Sequence, residues 1–145
     1  MIFLAADHAG FELKEKIRHR LSERKVAFED FGTFSTQLVD YPGYAKQLAK
    51  AVIKHDGKGI LFCGSGEGMA IAANRVKGIR AAVVWNPRVS AETREDNDAN
   101  VLSLPARFID DETAWEIVSV FLSTSFSHAD RHSRRIKQID SMVSK

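Results

Sequence analysis

Residues 59–74 read GILFCGSGEGMAIAAN, and their order decides the fold. An apolar run, Gly59 to Cys63, stops at three alternating glycines, Gly64, Gly66 and Gly68, and an alanine-rich stretch follows. A short continuous apolar run suits a strand buried on both faces, as in a parallel sheet. Glycines let the chain turn sharply and approach a ligand closely. The start of the helix beyond them offers unpaired N–H groups and partial positive charge to an anion. The unit therefore reads strand, glycine turn, helix. The glycines do not form a G-x-G-x-x-G dinucleotide fingerprint, because Met69 and Ala70 follow Gly68, and no Gly-Lys-Ser/Thr closes a Walker loop. On its own the pattern does not separate an anion cradle from a plain turn.

The same alternation continues outward. Towards the N-terminus, IFLAA (2–6) reads as a strand, and Leu13, Ile17 and Leu21 recur at helical spacing within DHAGFELKEKIRHRLSER. VAFEDF (26–31) returns to strand composition. Asp40 and Pro42 start a helix with an apolar stripe at Tyr44, Ala45, Leu48, Ala49, Val52 and Ile53. Towards the C-terminus, GIRAAVVW (78–85) and VLSL (101–104) read as strands around a polar segment that is helical in its middle. DDETAWEIVSVFLS is an amphipathic helix with acidic residues at its positive end, and SFSHADRHSRRIKQIDSMV is one more helix. This predicts an α/β, Rossmann-like three-layer sandwich: a five-stranded parallel sheet covered on both faces, with an extra C-terminal helix.

With 145 residues and 44% hydrophobic content, the chain suits a single domain over 1–145. A net charge of +2 is too mild for a nucleic-acid partner. No apolar run approaches the about 20 residues of a membrane helix. No basic region precedes a long apolar stretch at the N-terminus, and one cysteine cannot form an internal disulfide, so a soluble cytoplasmic protein is expected.

In parallel sheets ligands sit beyond the carboxyl ends of strands. Cys63 ends one strand there, and Asp7 and His8 follow another. A thiol facing a helix N-terminus can be activated as a nucleophile or base, although a lone buried cysteine is more often a small apolar filler. Arg131 and Arg135, four apart, share one helix face and can clamp a phosphate; a solvated basic face is the plainer reading. The five histidines are scattered and only one cysteine exists, so no metal site is expected.

Taken together, DHAGFELK, GT followed by DYP, CGSGEGMAIAAN, GIRAA, NDANVL and RHSRRI, in that order across nearly the whole chain, resemble the type B ribose-5-phosphate isomerases. That family includes allose-6-phosphate isomerases and galactose-6-phosphate isomerase subunits. The resemblance implies aldose–ketose isomerisation of a phosphorylated sugar through an enediolate, without metal or cofactor. Cys63 matches the family's catalytic base, and Gly64 to Gly68 match the loop that stabilises the enediolate oxygens, with Ser65 supporting it. Asp7, His8 and Tyr41 match ligand-contacting positions. Asn97, Arg107, Arg131 and Arg135 match the remaining sugar- and phosphate-binding positions. The resemblance also implies a homodimer, or a tetramer built from it, with each site shared between chains. Ribose 5-phosphate is the expected substrate; a 6-phosphate aldohexose (allose or galactose 6-phosphate), or binding of sugar phosphate with little turnover, is the alternative.

One position departs from the pattern. The family commonly has a histidine before ND that helps to open the cyclic sugar; here REDNDAN places Asp96 there. A free Asp titrates near ~3.9 and a His near ~6.5, so an ordinary Asp accepts a proton at neutral pH but rarely carries one to donate. Three routes stay open: Asp96 deprotonates the anomeric hydroxyl while another group serves the ring oxygen, Asp96 does both, or ring opening is left to His8 or solvent. Glu67, in the glycine loop, is a further candidate acid or base, read as more structural than catalytic.

Overall fold

The computed structural model describes residues 1–143. Five parallel strands form one sheet: β1 (Ile2–Ala6), β2 (Phe28–Asp30), β3 (Lys58–Cys63), β4 (Ala81–Val83) and β5 (Val101–Pro105). Their order across the sheet is β2-β1-β3-β5-β4. The helices are α1 (Phe11–Glu23), α2 (Tyr41–His55), α3 (Glu67–Ala73), α4 (Pro87–Asn97), α5 (Asp111–Ser123) and α6 (Asp130–Asp140). This is the expected α/β, Rossmann-like sandwich.

Two apolar cores hold the layers. On one face, Leu48, Ala49 and Val52 of α2 and Met69 and Ala73 of α3 pack on Phe3, Ala5 and Leu61. On the other, Leu13, Ile17 and Leu21 of α1 and Ala114, Ile117 and Phe121 of α5 pack on Leu4, Ile60, Phe62 and Leu102. Side chains alternate between faces along a strand, which is why β1 and β3 contribute to both cores and read as unbroken apolar runs. Each fully buried Leu, Ile or Phe stabilises the fold by roughly 1.5–3 kcal/mol. The fully buried Lys14 is the exception on α1; its Nζ lies 2.5 Å from Asp30 Oδ2, which ties the helix to the end of β2. α6 alone among the helices buries no residue.

The elements are those expected, with shifted bounds. α1 begins at Phe11, because Asp7 to Gly10 form a turn in which the Gly10 amide donates to Asp7 Oδ1 at 2.9 Å. β2 keeps only Phe28–Asp30 of the expected 26–31, and β4 only Ala81–Val83 of 78–85. Composition could not show these limits, since β2 and β4 are the outer strands and pair on one side only. Beyond β4, Asn86 caps α4 by accepting from the Val89 amide at 2.9 Å, with Pro87 at the first helical position.

Topology places the site. The chain leaves β1 for β2 on one side, and β3 lies on the other. The carboxyl ends of β1 and β3 thus flank a switch point, the usual ligand crevice of such sheets.

Candidate active site

At that crevice a cavity of about 390 Å³ is lined by Asp7, His8, Ala9, Tyr41, Cys63, Gly64, Ser65, Gly68, Arg107 and Phe108. Residues far apart in sequence meet there because β1, β3 and β5 end side by side. Asp7 and His8 leave β1; Cys63 is the last residue of β3; Arg107 follows β5; Tyr41 opens α2. Cys63 is only 6% exposed, yet it forms part of the cavity wall. A base that must hold a proton away from solvent between two transfers suits that position.

The glycines are there for fit. A Cβ on Gly64 would stand 2.9 Å from Nη1 of Arg107, so the guanidinium lies directly over the loop. A Cβ on Gly68 would stand 2.7 Å from the Tyr41 ring. Gly66 has φ of +78°, where side chains are strained, and its carbonyl accepts from the buried Ser103 hydroxyl at 2.5 Å. Ser65 Oγ accepts from the Glu67 amide at 3.2 Å, which braces the turn. That bond occupies one first-turn amide of α3; the neighbouring Gly68 amide also lacks an intrahelical acceptor and adjoins the cavity.

Asp7 is 6% exposed, and one of its oxygens is committed to the Gly10 amide. His8 Nδ1 accepts from the Val39 amide at 3.3 Å. An imidazole that accepts at Nδ1 carries its proton on Nε2, so His8 is a hydrogen-bond donor at its other nitrogen. Arg107 is held by its backbone, whose amide donates to the Gly64 carbonyl at 3.0 Å.

The expected residues do not all converge. Gly66 lies beneath the loop, against Pro105 and Leu104, and Glu67 is exposed; neither lines the cavity. Asp96, Asn97, Arg131 and Arg135 also lie outside it. Asp96 and Asn97 end α4, and both arginines are exposed on α6, which packs along α4. Asn97 instead borders a separate cavity of about 350 Å³ with Arg80, Ile139 and Asp140. Within one copy of the chain, then, the thiol, Asp7, His8, Tyr41 and Arg107 form one group, and the α4–α6 residues form another. Ala9 and Phe108 escaped the sequence reading. They carry no reactive group, and only the fold brings them to the cavity. His132 stands inside RHSRRI, and its Nε2 lies 3.3 Å from Asp96 Oδ1.

Among the described residues, no three His, Cys, Asp or Glu side chains gather as a metal-binding set, and no helix is long and apolar enough to cross a membrane.

A family model described as Ribose/Galactose Isomerase matches residues 2–139. The ribose-5-phosphate isomerase B of Escherichia coli is 43% identical over 140 residues, which span 95% of this chain and 93% of that protein. A ribose 5-phosphate isomerase structure from Thermotoga maritima superposes with a TM-score of 0.94 at 48% identity and 97% coverage of both chains. The ribose-5-phosphate isomerase B of Mycoplasma genitalium, solved with bound ribulose-5-phosphate, gives a TM-score of 0.92 at 39% identity, covering 97% of this chain and 94% of that one.

Proposed function

Because this chain belongs to the ribose/galactose isomerase family and is an aldose–ketose isomerase, we propose that it interconverts ribose 5-phosphate and ribulose 5-phosphate with Cys63 as the base. The observation that carries this reading is the single cavity that joins the Cys63 thiol to Asp7, His8, Tyr41, the glycine loop and Arg107. The relatives named for this reaction, one of them holding the ketose product, support the pentose substrate.

The chemistry is a proton carried between neighbouring carbons. With the sugar open, the Cys63 thiolate takes the proton from C2. The C–H electron pair forms the C1–C2 double bond, and the carbonyl electrons move onto O1, giving an enediolate. The same proton returns to C1, and the O2–H proton passes to O1, so that O2 becomes the ketone and O1 a hydroxyl. Negative charge grows on oxygen midway, so donors already fixed in place lower the barrier more than mobile water does. The Gly68 amide and the His8 Nε2–H are such donors. Arg107, bent over Gly64, takes the phosphate end, whose binding energy is remote from the reacting carbons.

Arg131, Arg135, Asn97 and Asp96 complete the site from a second copy of the chain. The exposure of both arginines, and the exposed apolar side chains Leu38, Ile71, Trp85, Phe108 and Met142, support a dimer.

The deciding experiment is isomerisation of ribose 5-phosphate in deuterated water, wild type beside Cys63→Ala, with allose and galactose 6-phosphates in parallel. The expected result is rapid turnover of the pentose and a loss of about 10³-fold in the variant, within the range of a lost general base. Undiminished turnover by Cys63→Ala would overturn the assignment, and preference for a hexose phosphate would overturn the substrate.

A further inference from the structure

Asp96 stands where the family commonly supplies a histidine, and the structure shows what stands behind it. His132, on α6, turns towards α4 and sets Nε2 3.3 Å from Asp96 Oδ1. The imidazole side chain is 12% exposed and the carboxylate 47%. The carboxylate is thus the outer member of the pair and the imidazole the inner one. On the same helix, one residue before His132 and three after it, come Arg131 and Arg135.

We propose that Asp96 and His132 act as one acid–base unit that opens the cyclic sugar before isomerisation. The proposal rests on the isomerase reading above and on a second copy presenting α4 and α6 to the cavity. Opening a furanose takes one proton from the anomeric O1–H and delivers one to the ring oxygen. The C1–ring oxygen bond breaks, its electron pair stays on the ring oxygen, and C1=O1 forms. No net proton is gained or lost, so the mediating group ends as it began. A single imidazole serves both steps because it exchanges protons near neutrality. A lone carboxylate is ionised at neutral pH, so at the outset it supplies only the base. A carboxylate hydrogen-bonded to an imidazole supplies both: Asp96 takes the O1 proton, and the proton shared with His132 goes to the ring oxygen.

The contact is not needed merely to fasten α6. Arg80 Nη1 holds Asp140 Oδ2 at 3.0 Å at the far end of that helix. The segment leading into it is held by the Ser127 amide, which donates to the Glu95 carbonyl at 3.1 Å. The pair adds a proton-carrying group to an attachment that already exists.

The test separates ring opening from C–H chemistry. In Cys63→Ala, isomerisation is blocked but ring opening is not, so exchange between the α and β anomers of ribose 5-phosphate, followed by saturation-transfer NMR, reads the unit alone. Cys63→Ala is expected to speed exchange, and adding His132→Gln or Asp96→Asn to lower that rate by about 10²-fold, the scale of a lost proton-transfer group. Placing an imidazole at the outer position of the His132→Gln background, by Asp96→His, is expected to restore it, a rescue that a merely structural role of His132 does not produce. The proposal falls if Cys63→Ala does not accelerate exchange, if exchange survives His132→Gln, or if Asp96→His fails to rescue it. Failure of the isomerase reading looks different: wild type exchanges anomers without making ketose.

Discussion

The strand-end cavity and the α4–α6 arm are built by opposite means. The cavity rests on two apolar cores: Cys63, Asp7 and the glycine loop leave strands whose residues are almost wholly buried. The arm carries four of the expected site residues, yet α6 buries nothing. It is held by polar contacts: His132 to Asp96, Arg80 to Asp140, and the Ser127 amide to Glu95. Burial gives the first region fixed geometry at a cost the cores cover. α6, by contrast, buries no side chain of its own. The two groups of candidate site residues are thus held in place by different forces.

That contrast can be broken most sharply by mixing. Cys63→Ala damages the cavity and Arg135→Ala the arm; alone, the second should cost about 10–100-fold in kcat/KM, the worth of charged hydrogen bonds. If each site draws on two copies, a refolded mixture of the two variants should regain about a quarter of wild-type activity, since half the dimers are hybrids with one intact site. No recovery on mixing would mean that each copy works alone. The next effect is on stability. Gly10→Ala drives a methyl group into the Phe62 carbonyl, backbone that cannot give way; denaturant unfolding should show a loss of about 3 kcal/mol. Arg80→Ala, which releases Asp140 and the carbonyls of Asn97 and Asp98, should cost about 2 kcal/mol while raising hydrogen exchange in α6.

The smallest effect lies outside both regions. The Asp110 carboxyl caps α5, and the backbone hydrogen bond from Thr113 holds it below the usual carboxylate range. A group whose folded pKa is depressed stabilises fully above its unfolded value, and that contribution fades as pH falls through the folded one. Asp110→Ala should therefore lower Tm slightly at pH 7, and the difference should shrink below about pH 4. A constant difference across that range would assign the effect to something other than the carboxylate.

Much of the cavity was legible in the sequence because its residues sit at strand ends. Asp7 and His8 follow an apolar run, Cys63 closes another, and the glycines mark a turn where only small residues fit. The edges of β2 and β4 were not legible, since an outer strand ends where its one neighbour ends. The Asp96–His132 contact was not legible either. The two lie 36 positions apart on different helices, and no short stretch of sequence contains both.

The sequence by itself determined the order of strands and helices, the parallel sheet, the family and the thiol at a ligand crevice, since periodicity and glycine placement are local properties of a chain. Only the tertiary structure decided which residues share a wall: that Tyr41 and Arg107 close on the glycine loop, that the arginines of α6 stand apart from the thiol, and that an imidazole backs Asp96. Such meetings depend on the order β2-β1-β3-β5-β4 and on how helices pack across it. Those follow from burying two apolar faces at once, a condition on the whole chain that no short stretch of it expresses.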